Sequence, residues 1–310
     1  MGRYMTAEAL EWLHFPTWRD RWAAYVAGGK QGYYKPCANL YTRLAYLQRQ
    51  GLIHQVVRTV QNAATTFGRD ANLYMLTKFG AEEVALGYGY DREDLGATRL
   101  RPKSLHTLSH AAAGARFYAA IRTKLETLQG IRLAEWRGEH VTARDYDSVT
   151  IIPLSRDKPE LTKQAIQPDG VLMLERGENP DYVAFIEIDR GTRPIRTWLD
   201  KIQGYHEYMT DEKDHVQFLR RFPGVNTFTV LTVVPTMARM QALAQGVVAA
   251  TRPVPGKVED GFWNRYFFIL EEHVHPLTIG DHWKKIDKAK RGGQHRLRPL
   301  VELADWTFVR

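Results

Sequence analysis

Apolar residues recur at helical or strand spacing in blocks along the 310-residue sequence, and the first blocks predict a small helical unit that ends in two strands. The spacing predicts three helices and then two β-rich segments, over 7–13, 18–27, 36–50, 52–60 and 72–76. Gly51 directly follows the third helix and is suited to its C-terminal cap. Three helices followed by a hairpin is the element order of a winged helix.

A second block begins at residue 105, where a helix over 105–129 is predicted and is followed by alternating strands and helices. The predicted strands cover 131–137, 165–174, 182–189, 227–234 and 265–270. The predicted helices between them cover 193–209 and 237–250. This alternation is typical of an α/β layer with a mixed sheet, so the sequence predicts an α+β unit followed by an α/β unit.

The third predicted helix has one apolar stripe and one polar face. Leu40, Leu44 and Leu47 lie at positions i, i+4 and i+7, which is the spacing of a buried stripe. Side chains beside that stripe can reach base edges or phosphates in a major groove. The predicted DNA-contacting residues of this region are Lys35, Asn39, Thr42, Arg43, Tyr46, Arg49, Arg58 and Arg69. The alternative is a helical domain whose third helix is merely solvated.

Charge is distributed unevenly along the chain, which has a net charge of +8 and a single cysteine, Cys37. Residues 21–69 contain seven Lys and Arg residues and no Asp or Glu. Residues 281–310 are also basic, with eight Lys and Arg residues against four Asp and Glu. Basic flanks suit a polyanion such as DNA, although a solvated surface is an equal reading of the net charge alone. The absence of a signal peptide and of a ~20-residue apolar run predicts a cytoplasmic protein that does not contact a membrane.

Three acidic residues lie at the ends of two predicted strands. Asp169 belongs to a Pro-Asp-Gly segment, while Glu187 and Asp189 lie two apart at the end of the next strand. Residues two apart on a strand share a face, so a hairpin would bring all three carboxylates together. Hard divalent cations prefer such oxygen ligands, and we therefore predict a site for Mg²⁺ or Mn²⁺. The alternatives are that Asp169 forms a plain turn and that Arg190 or Arg193 pairs with Glu187.

Longer motifs carry a resemblance to known families. The strings PDGVLML, YVAFIEIDRGT and LDKIQGYHEY follow LSHAAAGARFYAAI and AEWRGE in this order. Together with the N-terminal helices, they resemble the replication-relaxation family of plasmid and mobile-element proteins. The PDG and EID segments also resemble the PD-(D/E)XK restriction-endonuclease-like nucleases, and the replication-relaxation family itself resembles the restriction-endonuclease-like (MobC-type) relaxases. The resemblance covers about residues 5–235 and implies a winged helix-turn-helix domain over 1–86 and a restriction-endonuclease-like domain with a mixed central sheet over 105–280. The glycine-rich and charged composition of 87–104 predicts a linker, and 281–310 is predicted as a basic segment that the resemblance does not explain.

The same resemblance implies roles for individual residues. Asp169 and Glu187 would be metal ligands, whereas Asp189 stands where the nuclease motif has lysine and would be an additional ligand. Some relatives carry that lysine on the following helix, which makes Lys201 the candidate source of positive charge. Residues implied as further support or ligand are Arg190, Gln203, Tyr205 and, as an acid from the preceding segment, Glu139. A snorkelling lysine and a core aromatic are the alternative reading of Lys201 and Tyr205.

These expectations define a DNA-processing protein of a plasmid or mobile element. The predicted activity is metal-dependent cleavage or nicking of double-stranded DNA, with water or, in a relaxase, a tyrosine as the nucleophile. One alternative is a non-catalytic DNA-binding replication or transfer factor, and another is a winged-helix regulator with a ligand-sensing second domain. Replication or transfer proteins and a second copy of the chain are the further predicted partners. His273 and His275 are predicted to be structural, since no further zinc ligand has suitable spacing.

Overall fold

The computed structural model describes residues 4–29, 35–57, 73–89, 95, 105–155, 160–176, 179–251, 262–287 and 296–299. The chain divides into two compact units. Unit 1 comprises Met1–Thr127 and Val274–Leu277, and unit 2 comprises Leu128–His273 and Thr278–Arg310. Within the described ranges, no helix has the length and apolar character needed to cross a membrane.

Unit 1 contains three helices, a three-stranded antiparallel sheet and two further helices. In chain order its elements are β1 (Met5–Thr6), α1 (Ala7–His14), α2 (Trp18–Ala27), α3 (Ala38–Arg49), β2 (Ile53–Val57), β3 (Leu73–Leu76), α4 (Lys78–Tyr88) and α5 (Leu105–Leu125). β3 is the central strand and pairs with β1 and β2 on its two sides. The sheet therefore joins the start of the unit to the hairpin that follows α3.

The two faces of β3 contribute to two small cores. Tyr74 packs in one core with Leu40 and Leu44 of α3, while Leu73 and Met75 pack in another with residues of α5. Adjacent strand residues point to opposite faces, which explains this division. Gly80 in α4 lies against the backbone of Leu52, where a Cβ would come within 1.9 Å of the carbonyl oxygen.

Unit 2 is built around a seven-stranded mixed sheet. Its elements are β4 (Arg132–Gly138), α6 (Glu139–Thr142), β5 (Asp147–Ile151), β6 (Thr162–Ile166), β7 (Gly170–Arg176), β8 (Asn179–Ile188), α7 (Ile195–Thr210), α8 (Glu212–Arg221), β9 (Phe228–Val234), α9 (Met237–Ala250), β10 (Tyr266–Leu270), β11 (Lys284–Asp287) and β12 (Arg296–Pro299). The strand order is β12-β11-β10-β9-β8-β7-β4. β8, β9 and β10 are parallel to one another, and the other pairs are antiparallel. β5 and β6 form a separate two-stranded sheet.

A large apolar core lies on the face of the main sheet that α7 and α9 cover. Trp198, Ile202 and Tyr205 of α7 are buried in it at the spacing of one helix face. Every residue of β9 is buried, as is usual for a parallel strand inside a sheet. Gly246 allows α9 to approach α7, because a Cβ there would lie 2.7 Å from a methyl carbon of Leu199.

The predicted mixed sheet is present, and most predicted elements form within a few residues of their expected bounds. The helix predicted from residue 36 begins at Ala38, where Cys37 is the N-terminal cap residue. The single strand predicted over 165–174 is two strands in different sheets, because the Pro-Asp segment separates β6 from β7. β5 and α8 were not predicted. Part of the basic segment forms β11 and β12, which extend the main sheet.

The helix over 105–125 groups with unit 1, whereas the sequence placed it at the start of the second domain. Its residues Leu108 and Ala112 share a core with β3, which accounts for this grouping. α4 continues through Tyr88 into the predicted linker. Residues 90–94 and 96–104 of that linker lie outside the described residues.

Candidate functional site

The candidate site lies where β7 begins and β8 ends. These strands are antiparallel, and Gly170 pairs with Ile186, so Asp169 and Glu187 occupy the next position of the two chains. The Asp169 amide donates to the Ile186 carbonyl at 2.9 Å, and the Ile188 amide donates to Asp169 Oδ2 at 2.7 Å. Asp169 is therefore fixed beside Glu187, as the hairpin prediction required.

Gly170 has a specific packing role beside this site. A Cβ on Gly170 would lie 2.7 Å from Cη2 of Trp136 and 2.9 Å from its Cζ2. Trp136 lies on β4, which pairs with β7 on the side opposite β8. Position 170 therefore needs glycine, because any side chain there would clash with the Trp136 indole that packs over the strand next to Asp169.

Glu187 is buried and has two polar partners from α7. Lys201 Nζ lies 2.7 Å from Glu187 Oε2, and the Tyr205 hydroxyl donates to Glu187 Oε1. The Glu187 side chain is only 4% exposed. Burial raises the pKa of Glu187 to about 7 and outweighs the opposing attraction of Lys201, while the negative charge of Asp169 raises this pKa further.

The spacing of Lys201 and Tyr205 on α7 explains why both reach the same carboxylate. Residues four apart lie one above the other on a helix face, and both project toward the end of β8. Burial would lower the pKa of Lys201, but attraction by Glu187 and Asp169 produces a net increase. Burial and the charge of Glu187 raise the pKa of Tyr205 well above its ordinary value. Tyr205 is therefore a neutral hydrogen-bond donor to Glu187.

Asp189 does not join the predicted trio of carboxylates. Arg239 of α9 holds it with two contacts, Nε to Oδ2 at 2.6 Å and Nη2 to Oδ1 at 3.2 Å. The Gly191 amide also donates to Asp189 Oδ1 at 3.2 Å. Among the described residues, no group of three or more His, Cys, Asp or Glu side chains is arranged to hold a metal ion. The expectation that Asp189 converges with Asp169 and Glu187 was wrong, because its carboxylate is committed to Arg239.

The remaining predicted site residues have different surroundings. Glu139 follows Gly138, which pairs with Gly170, so the chain positions of Glu139 and Asp169 are neighbours at the same end of the sheet. Arg190 pairs with the buried Glu271 and not with Glu187. The side-chain oxygen of Gln203 is buried and has no hydrogen-bond partner in the described chain.

The predicted DNA-contacting residues of α3 lie on its exposed face. Leu40 and Leu44 are buried, and Leu47 is half-buried. The exposed residues are Lys35, which precedes the helix, and Asn39, Thr42, Arg43, Tyr46 and Arg49. Tyr46 is 54% exposed, so its ring is accessible on this face of the helix. Arg58 and Arg69 lie outside the described residues.

The two histidines have packing partners that fit a structural role. His273 stacks on His282 with ring centroids 4.0 Å apart. His275 is buried and stacks on Trp22 at 3.8 Å, and its Nδ1 accepts from the Leu277 amide at 3.2 Å.

Arg239 is the residue of this region that sequence reasoning missed. It lies 50 positions after Asp189, and its position in the first turn of α9 carries no motif. Glu271 was missed for the same reason, since only the parallel pairing of β8, β9 and β10 brings the ends of these strands to one edge. The sequence signal that could have pointed to these ion pairs is the number of acidic residues without a nearby cation at that edge of the sheet.

The fold and these contacts define a mixed α/β protein with an acid–lysine–tyrosine cluster at one end of its main sheet. Residues 2–219 match the replication-relaxation family, and this match covers α3, Asp169, Glu187, Lys201 and Tyr205. The chain belongs to the replication-relaxation family. No curated protein and no solved structure matches it.

Proposed function

We propose that this protein binds double-stranded DNA through α3 and acts in the replication or transfer of a plasmid or mobile element. The observation that carries the proposal is the division of α3 into a buried leucine stripe and an exposed face. That face presents Asn39, Arg43 and Tyr46 together. Membership of the replication-relaxation family supports the same role.

The chemistry of this face suits a groove of duplex DNA. Asn can bond adenine edges, Arg can bond guanine edges or phosphates, and a tyrosine ring can stack or donate to a phosphate. Ala7 of α1 and Tyr74 of β3 pack against Leu40 and Leu44 of α3, and the elements follow one another in the order expected of a winged helix. A rigid helix with exposed basic and amide side chains fits a major groove.

Anisotropy titration with labelled duplex DNA tests this proposal. The double variant Arg43→Gln/Arg49→Gln should weaken binding by roughly tenfold and flatten the salt dependence by about 0.9 per lost phosphate contact. The matched control is Arg19→Gln/Lys78→Gln, which removes two exposed charges from α2 and α4 of the same unit. Equal weakening by the two pairs, or no binding by the wild type, would overturn the assignment to α3.

A second candidate function is metal-dependent cleavage of DNA, and the contacts of Glu187 favour it. They bring two carboxylates and a lysine to one end of adjacent strands, with Lys201 on the helix as the family resemblance implied. Lys201 places a positive charge where a phosphate that approached Asp169 would develop negative charge. Tyr205 does not suit the role of nucleophile, because its raised pKa opposes ionisation and its proton is already donated to Glu187.

The residues fit Mg²⁺ or Mn²⁺ in donor type, although the ligand set is smaller than predicted. Asp169 and Glu187 have the carboxylate oxygens that these ions prefer, and the described residues contain no third His, Cys, Asp or Glu side chain arranged to join them. Asp189 pairs with Arg239 and is not part of such a group. When bound, a divalent ion at such a site polarises a phosphate oxygen and lowers the pKa of water.

Incubation of supercoiled plasmid with Mn²⁺ tests this second candidate. Wild-type protein should convert the plasmid to nicked or linear DNA, and Asp169→Asn should abolish the conversion. Glu160→Gln removes an exposed acid of the same unit and should leave the conversion intact. If wild-type protein binds DNA but does not cleave it with Mg²⁺ or Mn²⁺, the cleavage candidate fails and the DNA-binding proposal stands.

A further inference from the structure

The segment between β8 and α7 is anchored to the rest of unit 2 by two ion pairs. Asp189 at its start pairs with Arg239 of α9, and Arg190 pairs with the buried Glu271 after β10. Arg239 Nη2 also donates to the Arg193 carbonyl at 2.8 Å. Arg239 of α9 thus holds both ends of this segment, at Asp189 and at Arg193. The segment is therefore a rigid support for its exposed side chains.

Gly191 shapes the turn inside this segment. Its φ of +70° lies in the left-handed region, which glycine adopts without the cost that a side chain would add. Its amide donates to Asp189 Oδ1, so the turn is closed on the same carboxylate that Arg239 holds. The turn directs Arg193 away from the buried ion pairs and into an exposed position.

The charges at this end of the sheet are almost all compensated in pairs. Glu187, Asp189 and Glu271 each have one cationic partner. Arg193 and Arg196 are exposed, and neither guanidinium pairs with a carboxylate in the described part of the chain. From residue 190 to residue 199 the sequence contains three arginines and no acidic residue. Two positive charges therefore face solvent beside three acids that are already paired.

Arg193 also lies near the candidate site. Its carbonyl accepts from Nη2 of Arg239, the guanidinium that also holds Asp189, which lies two residues after Glu187. Arg193 and Arg196 therefore lie on the segment and the first turn of α7 that connect Asp189 to Lys201.

We propose that Arg193 and Arg196 form a phosphate-binding surface that holds the DNA backbone next to Asp169 and Glu187. Arginine suits this role, because its planar guanidinium binds two phosphate oxygens at once and remains charged at every physiological pH. The anchored backbone limits the ordering entropy that binding would cost. The inference rests on the proposed DNA-binding function and adds a second contact surface, in unit 2, to that of α3.

Salt-dependent DNA binding by the full-length chain tests the proposal. Arg193→Gln/Arg196→Gln should weaken binding to duplex DNA roughly threefold to tenfold, and should reduce the slope of log K against log salt by about 1.8, as expected for two lost phosphate contacts. Arg193→Lys/Arg196→Lys should retain most of that slope. The matched control, Lys163→Gln/Arg220→Gln, removes two exposed charges from β6 and α8 of the same unit and should change neither quantity. Circular dichroism and the urea midpoint report whether each variant is folded.

The outcomes separate this inference from the function on which it rests. If wild-type binding depends on Arg43 and Arg49 but the Arg193/Arg196 pair has no effect, the phosphate-binding surface is refuted and DNA binding by α3 stands. Equal weakening by the control pair would show a general charge effect and would also refute it. If the wild type does not bind DNA, both proposals fail together.

Discussion

Removal of Lys201 should destabilise the fold in a way that depends strongly on pH. In Lys201→Met, Glu187 keeps the hydrogen bond from Tyr205 but loses its cation, which lies 2.7 Å away in the native protein. Two unit charges about 4 Å apart attract by about 4 kcal/mol at an effective dielectric constant near 20. Removal of one partner of a buried pair typically costs about 3–5 kcal/mol. The Lys201 side chain is 17% exposed, so we expect a cost near the lower end of that range, about 3 kcal/mol at pH 8.5.

The pH dependence follows from the raised pKa of Glu187. A carboxyl whose pKa is higher in the folded than in the unfolded state contributes stability at low pH, and this contribution is lost as pH rises through the folded-state value. The native value is already about 7, and loss of Lys201 should raise it further. At pH 6 the carboxyl of the variant is protonated and neutral, so the loss in the free energy of unfolding should fall to about 1 kcal/mol or less.

Urea unfolding of the variants at pH 6 and pH 8.5 measures this difference. Glu187→Gln/Lys201→Met removes both charges, so the pH dependence that this pair contributes to the free energy of unfolding should be lost. Lys163→Met removes an exposed lysine from β6 and should change the free energy of unfolding by about 0.5 kcal/mol or less at either pH. Equal losses for Lys201→Met at the two pH values would refute the assignment of a buried, coupled pair.

Three further predictions concern stability, each measured by chemical or thermal unfolding. Arg239→Met leaves Asp189 buried without its cation and should cost about 3–5 kcal/mol of unfolding free energy at neutral pH. Arg239→Lys should cost less. A loss below about 1 kcal/mol for the methionine variant would contradict the pairing. Gly170→Ala should cost about 1–3 kcal/mol through its clash with Trp136, while Gly114→Ala, in open space inside α5, should be neutral or stabilising by up to about 1 kcal/mol. Burial would raise the pKa of Asp147, but hydrogen bonds from Arg221 and Tyr208 hold this pKa below its usual value. Asp147 therefore stabilises the fold above its unfolded-state pKa, and this stabilisation is lost as pH falls through the folded-state pKa. The loss in the free energy of unfolding caused by Asp147→Asn should consequently be larger at pH 7 than near pH 2. A loss that does not depend on pH would show that the charge of Asp147 is not responsible.

The parts of the site that could be predicted from sequence depend on local geometry. Two apolar runs joined by a short turn predict the β7–β8 hairpin, and the hairpin register brings Asp169 beside Glu187. The four-residue spacing of Lys201 and Tyr205 predicts a shared helix face, and both side chains contact Glu187. In each instance a periodicity of two or of 3.6 residues determines the direction of the side chain.

The parts that could not be predicted depend on pairings between distant segments. Asp189 follows the last residue of β8, where the strict alternation of the strand ends, and its partner Arg239 is supplied by a helix after the next parallel strand. The separation of β6 from β7 likewise depends on tertiary packing, since β5 and β6 form their own sheet beside α7. The segment from Gln167 to Gly170 is a local break signal, but it does not indicate that the strands on its two sides belong to different sheets.

The ion pairs at the end of β8 fit an acid at position 189, where the nuclease motif that the sequence resembles has lysine. The motif has lysine at the position of Asp189, whereas here α7 supplies a lysine to Glu187 and α9 supplies an arginine to Asp189. A lysine at position 189 would lie against Arg239 and would leave that arginine without its carboxylate, so an acid at 189 and a lysine at 201 are mutually consistent. Asp189 thereby anchors the segment that carries Arg193, and Lys201 of α7 is the cation that pairs with Glu187.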